Sequence, residues 1–443
     1  MNTTYSVAKK IVIFERKFRI DAMVVLLDLD GTLINTASTK YKEYKDGVRQ
    51  ISIEDVPVFA GAREFVATLT NQGHKVYIIS DSYPSYVKTI SENIFHLEYL
   101  ALSDKPNTSK TLKFLSDKGV NVNNDDIILV GDSSLDIHLG RKLRCKTIYL
   151  QLYNQNSEEF DDNDGIDERT TLKYGPTYFA KNYNTALEIV NFPLRHLLAI
   201  EGAALGLDTC NAVRFWNYKA PDHIVAIRCL ARQENGACDK MSQAKIYYQI
   251  DNPERTAETL DILAKGASSY LAGLLQYSQH YKWDIFTYIP DKTTTTPPNK
   301  MKGIFNLIET TIPKGDIFSW SDNIRTSLRQ EKNYHDRSQY IDQNLKINSS
   351  NLVSGKNIIV IDDQLTTGAT AFAIRKKLKE NGANNILFIT LFYMILEVKD
   401  DKICPKCGKP LSIKVNRRNG NKFYSCQPER YGGDGCGYIE NID

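Results

Sequence analysis

The chain has 443 residues, more than a single hydrophobic core usually organises, so two or three domains are expected. Its 42% apolar and 25% charged residues are typical of folded globular proteins and exclude a disordered or fibrous chain. The net charge of +3 is small for this length and excludes a strong overall attraction to nucleic acid or to a membrane surface.

Membrane insertion and export are not predicted. The longest apolar run, residues 386–396, is too short to cross a bilayer, and its β-branched and aromatic residues indicate a buried strand. Charged residues interrupt the N-terminal segment, where an export signal needs an unbroken apolar stretch. Four of the eight cysteines crowd into the C-terminal tail, which favours reduced thiols and a metal site over disulfides. A cytoplasmic protein without a membrane partner is therefore expected.

The first region, residues 23–192 after an N-terminal extension of residues 1–22, alternates apolar strand-like runs with amphipathic helical stretches. This alternation predicts an α/β domain with a parallel sheet flanked by helices. A polar, acidic stretch at 154–171 predicts an exposed loop. The predicted strands are residues 24–28, 76–80, 127–131 and 147–150.

The first predicted strand ends in two carboxylates, Asp28 and Asp30, followed by Gly31. Residues two apart on a strand point to the same side, and open α/β sheets bind ligands at the carboxyl ends of their strands. A lone Asp-x-Asp-Gly is also compatible with an ordinary strand that ends in a polar turn. Further motifs in the same region decide between these two interpretations.

Three further motifs follow in order along the chain. Ser80 ends the second predicted strand, and Lys105 opens a helical segment. Asp132 and Asp136 follow the third predicted strand. Together with the Asp-x-Asp pair, these elements resemble the four motifs of the haloacid dehalogenase superfamily.

The resemblance implies a phosphatase that works through an aspartyl-phosphate. Asp28 would be the nucleophile, and Asp30 would be the acid/base that protonates the leaving group. Ser80 and Lys105 would hold phosphoryl oxygens. A hard cation is needed to neutralise the attacking carboxylate and the phosphate, and the implied Mg²⁺ ligands are Asp28, Asp30, Asp132 and Asp136.

The spacing of these motifs leaves little room for the large cap domain that many members of this superfamily insert over the active site. A capless domain is therefore expected. An open site suits a bulky substrate, such as a nucleic-acid end or a phosphoprotein. A phosphorylated small molecule, such as a nucleoside monophosphate or a sugar phosphate, is also admissible.

The second region, residues 193–398, again combines strands and helices, with a long helix predicted near 256–277 and a strand at 283–289. Residues 357–370 run from an apolar strand through Asp362 and Asp363 into a loop of small residues and then a helix. Backbone N–H groups of such a loop, at a helix N-terminus, can hold a phosphate.

This pattern closely resembles the phosphoribosyl pyrophosphate (PRPP) fingerprint of type I phosphoribosyltransferases. The upstream stretch with Lys332, His335, Arg337 and Gln339 resembles the competence-associated members of that family. Asp362 and Asp363 would accept hydrogen bonds from the ribose hydroxyls, with Mg²⁺ bridging PRPP oxygens. An ordinary strand-loop-helix with surface acids, or a sensor that binds PRPP without turnover, remains an alternative. The upstream residues Lys332 and His335 are either part of this site or merely solvated. The 5-phosphate would be held by Thr366, Thr367, Gly368, Ala369 and Thr370.

The C-terminal tail carries cysteines in two pairs, Cys404 with Cys407 and Cys426 with Cys436. Paired thiolates on tight turns select tetrahedral Zn²⁺, and four of them leave no open position, so the zinc is expected to be structural. The pattern resembles the zinc ribbons of type IA topoisomerases, although the second gap is wider. The hairpin between the pairs suits weak, salt-sensitive contact with nucleic acid or is simply solvated. Its basic and aromatic residues are Lys414, Arg417, Arg418, Lys422, Phe423 and Tyr424.

The predicted architecture is α/β: a Rossmann-like parallel-sheet phosphatase domain at 23–192, a phosphoribosyltransferase-like domain at 193–398 and a zinc ribbon at 399–443. The predicted function is bifunctional, with Mg²⁺-dependent phosphate-ester hydrolysis and PRPP-dependent phosphoribosyl transfer in nucleotide metabolism or nucleic-acid processing. The alternative is a regulatory protein that senses PRPP or a nucleotide, binds nucleic acid through the ribbon and uses the phosphatase as its effector domain.

Overall fold

The computed structural model describes most of the chain, in two compact units. The first unit comprises Met1–Phe192 with Glu397–Asp443, and the second comprises Pro193–Leu396. Within the described residues, no helix is both long enough and apolar enough to span a membrane. Those residues are 22–36, 38–123, 125–152, 168–215, 226–234, 257–277, 282–291, 300–321, 334–365, 368–396, 398, 401–409, 411–416, 421–426, 428 and 435–441.

The first unit contains a six-stranded sheet in which every strand pair is parallel, as the alternating pattern predicts. The order β3-β2-β1-β4-β5-β6 places β1 between β2 and β4. The registers pair Leu27 with both Ile78 and Val130, so these three strands end side by side. The strands are β1 Val24–Leu27, β2 Lys75–Ile79, β3 Tyr99–Leu100, β4 Ile127–Gly131, β5 Lys146–Leu150 and β6 Tyr178–Ala180.

The amphipathic stretches of the first unit form helices, and so does the end of the predicted acidic loop, at Glu168–Lys173. The rest of that loop lies outside the described residues. One cluster of the core joins Leu26 of β1 and Leu129 of β4 to Leu139 of helix α5. The helices are α1 Lys42–Lys45, α2 Ala62–Asn71, α3 Pro84–Ile90, α4 Ser109–Asp117, α5 Ser134–Lys142, α6 Glu168–Lys173 and α7 Tyr183–Asn191, with a π-helical turn at Ser91–Phe95 and 3₁₀ turns at Thr39–Tyr41 and Ile53–Asp55.

The second unit has a mixed sheet in the order β10-β13-β14-β8-β7, with β9 also pairing with β14. Its pairs are parallel except β7 with β8. A separate antiparallel pair joins β11 and β12. The strands are β7 Val213–Phe215, β8 Ala226–Cys229, β9 Arg232–Glu234, β10 Ile285–Tyr288, β11 Phe318–Trp320, β12 Leu345–Ile347, β13 Asn357–Leu365 and β14 Asn385–Ile395.

One face of this sheet packs on helices through a core that joins Ile361 of β13 and Ile389 of β14 to Leu263 and Leu271. The long helix and the buried strand predicted in this region form, as do the strand and the helix on either side of the predicted turn. Residues 366 and 367 of that turn lie outside the described residues. The helices, with a 3₁₀ turn at Pro193–His196 and another at Ser350–Leu352, are α8 Ala199–Ala204, α9 Ala257–Tyr277, α10 Lys300–Leu307, α11 Tyr334–Asn344 and α12 Ala369–Glu380.

The cysteine-rich tail forms a three-stranded antiparallel sheet in the order β15-β16-β17. The strands are β15 Ser412–Val415, β16 Lys422–Ser425 and β17 Ile439–Asn441. Its small core contains Cys404, Leu411 and Cys426, with Tyr424 and Tyr438 packed against them. An apolar core this small needs a further source of stability, such as a metal.

Candidate active site and metal clusters

Three neighbouring strands deliver polar residues to one edge of the first sheet. Asp28 follows β1, Ser80 follows β2, and Asp132 follows β4. All three side chains are buried. Because β1 pairs in parallel with both β2 and β4, the carboxyl ends of these strands lie next to one another. The sequence pattern anticipated this convergence.

Lys105 lies between two carboxylates at this edge. Its Nζ donates to Asp28 Oδ1 at 2.5 Å and to Asp136 Oδ1 at 2.6 Å. The side chains of Lys105, Asp28 and Asp136 are only 5%, 8% and 1% exposed. Burial disfavours the ammonium, but the charges of Asp136 and Asp28 outweigh this and hold the pKa of Lys105 well above its ordinary value. Lys105 is therefore a fixed positive charge inside an acidic cluster.

Carboxylate oxygens of Asp28, Asp132 and Asp136 all lie within 4.8 Å of one another. Burial, followed by repulsion from Asp136, raises the pKa of Asp28 to about 8. Burial and the Asp28 charge likewise raise the pKa of Asp132 well above its ordinary value. Three buried carboxylates with one ammonium need a further cation to be ionised together. The hard oxygen donors fit Mg²⁺, which would be held by these three residues.

Two glycines make this crowding possible. Gly31 has a φ of +89°, and a Cβ there would overlap the Asp132 carboxylate. A Cβ on Gly131 would overlap the side chain of Asp136. Any larger residue at either position would push an acid out of the cluster.

Hydroxyl and amide groups orient the same carboxylates. Thr32 Oγ1 donates to Asp28 Oδ2 at 3.2 Å. Ser133 donates to Asp136 Oδ2 through both its backbone N, at 3.1 Å, and its Oγ, at 2.6 Å. This is a capping box at the start of α5, so the helix N-terminus itself fixes Asp136.

The carboxylate of Asp30 points to a different set of partners. It accepts hydrogen bonds from Thr36 Oγ1 at 2.6 Å, Ser82 Oγ at 2.8 Å and Tyr86 OH at 2.9 Å. Among the described residues, the three-carboxylate group does not include Asp30, which the sequence analysis also assigned to the metal. The expected roles of Asp30 as acid/base and as metal ligand therefore stay predictions.

The loop that carries Lys105 is held by Asp81, which the sequence analysis did not single out. Asp81 Oδ1 accepts from Ser103 Oγ at 2.5 Å and from the backbone N of Lys105 at 2.9 Å. Ser80 Oγ accepts from the backbone N of Ser82 at 3.1 Å. The signal in the sequence was the position of Asp81, directly after Ser80 at the end of a buried strand.

The four cysteines of the tail form a second cluster. Cys404 Sγ lies 3.6 Å from Cys436 Sγ, and Cys407 Sγ lies 3.4 Å from Cys426 Sγ. All four are free thiols, and their sulfurs lie within 4.8 Å of one another. Zn–S bonds of about 2.3 Å in a tetrahedron separate the sulfurs by about 3.8 Å, so the donor set fits Zn²⁺.

Two of the four thiols have pKa values that depart from the ordinary value, in opposite directions. The backbone hydrogen bond from Lys409, followed by contact with the other thiols, lowers the pKa of Cys407 to about 7. Burial raises the pKa of Cys426 to about 12. Because zinc binds thiolates, metal binding would have to displace a proton from Cys426.

The hairpin between the two cysteine pairs is only partly described. Lys414 is half-buried on β15. Arg417 and Arg418 lie outside the described residues, as does the side chain of Lys422. The predicted nucleic-acid contact therefore stays a prediction.

The two acids of the pattern that resembles a PRPP fingerprint lie on an interior strand of the second unit. Asp362 and Asp363 belong to β13, which pairs in parallel with β10 and β14. Gly368, with a φ of +80°, precedes α12, which begins at Ala369. Both acids are half-exposed, and the backbone N of Asp363 donates to Asp362 Oδ1 at 2.9 Å.

Other residues predicted for this site cannot be placed. Thr366, Thr367 and Lys332 lie outside the described residues, as does the side chain of His335. Thr370 is in the first turn of α12. The structure therefore describes the strand before the loop and the helix after it, and the loop and its PRPP-binding role stay predictions.

A comparison with protein-family models matches residues 37–150 to the haloacid dehalogenase-like hydrolases. The matched segment includes the motif residues from Ser80 to Asp136 and begins after Asp30. The chain therefore carries a haloacid dehalogenase-like hydrolase domain in its first unit. No curated protein matches the chain significantly.

Several solved structures are similar to part of the chain. A predicted phosphoglycolate phosphatase from Haemophilus somnus is 16% identical, with 38% of this chain and 98% of that chain covered and a TM-score of 0.29. A haloacid dehalogenase-like hydrolase from Streptococcus pneumoniae is 15% identical, with coverages of 38% and 97% and a TM-score of 0.28. A hydrolase of the same superfamily from Ehrlichia chaffeensis is 15% identical, with coverages of 39% and 97% and a TM-score of 0.27. These values support no inference about substrate.

Proposed function

We propose that the first unit is a Mg²⁺-dependent phosphatase in which Asp28 forms an aspartyl-phosphate. The buried cluster of Lys105 with Asp28, Asp132 and Asp136 carries this proposal. A structural ion-pair network would balance its charges, whereas this one has an excess of carboxylates that must be offset by protonation or by a bound cation. Mg²⁺ held by Asp28, Asp132 and Asp136 would supply that positive charge and would offset the charge of a bound phosphate.

The residues of the chain divide the reaction between them. An Asp28 oxygen attacks phosphorus, and the bond to the leaving oxygen breaks as that oxygen takes a proton from Asp30. Water then attacks the aspartyl-phosphate, Asp30 takes its proton, and inorganic phosphate leaves as Asp28 is regenerated. Lys105 and the Ser80 hydroxyl hold the phosphoryl oxygens, which stabilises the charge that develops on them. The hydroxyls of Ser82 and Tyr86 keep the Asp30 carboxylate aimed in one direction.

The proposed substrate is a phosphorylated small molecule or a nucleic-acid end. Between Asp30 and α2, the described chain forms two isolated β-bridges, Asp30 with Ile34 and Ile34 with Val58, and short helical turns at Thr39–Tyr41, Lys42–Lys45 and Ile53–Asp55. These turns are much smaller than a cap domain, which supports the proposal of a capless, open site.

The test uses the full chain with p-nitrophenyl phosphate and Mg²⁺. Asp28→Asn removes the nucleophile and is expected to abolish hydrolysis. Asp117→Asn, which changes an exposed acid at the end of α4, is the matched control and is expected to retain it. Hydrolysis by Asp28→Asn at the wild-type rate would exclude Asp28 as the nucleophile.

A second activity, PRPP-dependent phosphoribosyl transfer, is proposed for the second unit. Its support is the order of Asp362, Asp363, Gly368 and α12 at the end of a central parallel strand, where α/β sheets bind phosphorylated ligands. A phosphoribosyl product carries a 5-phosphate of the kind that the first unit would remove. The alternative is a PRPP sensor without turnover that regulates the phosphatase or a nucleic-acid contact of the ribbon.

Calorimetry with PRPP and a pyrophosphate-release assay with a panel of bases distinguish the two forms of this second proposal. Release supports the transferase, and binding without release supports the sensor. Asp362→Asn with Asp363→Asn should remove PRPP binding and leave phosphatase activity unchanged. Absence of PRPP binding by the wild-type chain would exclude both forms.

A further inference from the structure

Asp401 of the tail makes three hydrogen bonds to the sheet domain of the first unit. Its Oδ2 accepts from the backbone N of Thr108 at 2.9 Å and from Thr108 Oγ1 at 2.8 Å. Its Oδ1 lies 2.5 Å from Lys142 Nζ. The side chains of Asp401 and Lys142 are only 7% and 11% exposed. This is a largely buried, fully engaged carboxylate rather than a surface ion pair.

The two partners of Asp401 lie on the two elements that carry the Lys105–Asp136 ion pair. Thr108 is three residues after Lys105 and directly precedes α4. Lys142 is the last residue of α5, and the first turn of the same helix carries Asp136. Residues 103–108 form the Lys105 loop, and Asp136 lies on α5. Asp401 therefore links the Lys105 loop to α5 outside the acidic cluster, in addition to the ion pair between Lys105 and Asp136.

The Lys105 loop is thus held at two points by carboxylates. Asp81 fixes its beginning through Ser103 and the backbone of Lys105, and Asp401 fixes its end through Thr108. Burial opposes the charge of Asp401, but the hydrogen bonds from Lys142 and Thr108 outweigh it and lower the pKa of Asp401. Removing one partner of such a buried pair leaves the other uncompensated.

Asp401 is also tied to the cysteine cluster by the backbone that follows it. Lys402 O accepts from the backbone N of Leu411, and Cys404 N donates to Lys409 O, both at 2.7 Å. Cys404 is three residues after Asp401 and is one of the four proposed zinc ligands. A metal that closes this turn would therefore restrict the chain immediately after Asp401.

We infer that Asp401 is a positioning residue for Lys105. When the cysteine cluster holds zinc, the cluster stabilises the phosphatase site through Asp401. The catalytic consequence rests on the proposed phosphatase function. The positioning itself is measurable without any activity, through protection of the Thr108 amide.

The first arm of the test is hydrogen exchange of the full chain, read at the Thr108 amide. Asp401→Ala should speed exchange there by about tenfold or more, because the acceptor of the amide is lost. Asp401→Asn keeps an acceptor for Thr108 but loses the charge that pairs with Lys142, so a smaller increase is expected. Glu440→Gln, which breaks an exposed ion pair with Lys402 within the tail, is the matched control and should leave Thr108 unchanged. Zinc chelation should also speed exchange at Thr108.

The second arm is hydrolysis of p-nitrophenyl phosphate by the same variants. Asp401→Ala should lower kcat by about tenfold with a smaller effect on KM, because a loosened Lys105 stabilises the transition state less well. Adding Lys142→Met to Asp401→Ala should cause little further loss, because both changes remove the same bridge. A general loss of folding would instead expose the β1 amides, which exchange reports in the same experiment.

The outcomes separate this inference from the proposed function. If the wild-type chain does not hydrolyse phosphate esters but Asp401→Ala exposes Thr108, the phosphatase proposal fails and the positioning role stands. If Thr108 exchange and kcat are both unchanged in Asp401→Ala, the positioning role is wrong. If Asp401→Ala acts as expected but zinc chelation leaves Thr108 protected, the link to the cysteine cluster is wrong.

Discussion

Replacing Lys105 by methionine removes the ammonium between Asp28 and Asp136 while keeping a side chain of similar length. Three carboxylates whose oxygens lie within 4.8 Å would then share a buried site without their cation. Breaking a buried ion pair by removing one partner costs about 3–5 kcal/mol. Proton uptake relieves part of this cost, since burial already raises the pKa of Asp28 and of Asp132.

We therefore expect Lys105→Met to lower the free energy of unfolding of the first unit by about 3 kcal/mol in a chelator. The loss should be smaller with Mg²⁺ present, because a divalent cation compensates the same carboxylates. The proposed contact of Lys105 with the phosphoryl oxygens adds a kinetic effect. A fall in kcat of about 10³-fold is expected, which corresponds to about 4 kcal/mol of transition-state stabilisation.

The assay has to report on the first unit alone. The three tryptophans, at positions 216, 283 and 320, all belong to the second unit, so their fluorescence would follow the wrong part of the chain. Hydrogen exchange of the buried β1 amides, with and without Mg²⁺, measures the stability directly. Lys113→Met, an exposed change on α4, is the control. Unchanged β1 exchange together with wild-type kcat in Lys105→Met would refute the role given to this ammonium.

Three further changes probe other parts of the account. Tyr86→Phe removes one of the hydroxyls that orient Asp30. The rate of hydrolysis of alkyl phosphates, whose leaving groups need a proton donor, should fall about tenfold, and that of p-nitrophenyl phosphate should fall less. An equal loss for both substrates would contradict the role of Asp30 as the acid. Gly131→Ala should displace Asp136 and weaken Mg²⁺ binding, which is measured by titrating the hydrolytic activity with Mg²⁺. An unchanged dependence of activity on Mg²⁺ concentration would contradict the role of Asp136 as a ligand. Cys404→Ser should lower the zinc content measured by metal analysis of the purified chain, and full zinc occupancy would exclude Cys404 as a ligand.

The sequence predicts the parallel sheet and the convergence of Asp28, Ser80 and Asp132 because both follow from local features. Apolar runs of strand length alternate with amphipathic helices, and each polar motif directly follows a run. Once the strands are parallel neighbours, their carboxyl ends must meet at one edge. Lys105 and Asp136 are predicted from the resemblance to the haloacid dehalogenase motifs, which depends on their order along the chain relative to these strands.

The supporting contacts could not be predicted in this way because they depend on side-chain directions and on distant parts of the chain. The hydroxyl of Tyr86 reaches Asp30 from α3, and nothing in its local pattern marks it. The same holds for Asp30, because the spacing Asp-x-Asp does not reveal that the Thr36 and Ser82 hydroxyls donate hydrogen bonds to its carboxylate. Its expected role as a metal ligand stays a prediction. Asp401 contacts Thr108 across 293 positions of sequence.

The most direct test of the proposal that Asp28 forms an aspartyl-phosphate is to quench the wild-type chain during turnover of p-nitrophenyl phosphate. The peptides of the quenched chain are then analysed by mass spectrometry. If Asp28 is the nucleophile, one added phosphoryl group, labile to base, is expected on the peptide that contains Asp28, and none in Asp28→Asn. Turnover with the phosphoryl group on another peptide would contradict the proposal.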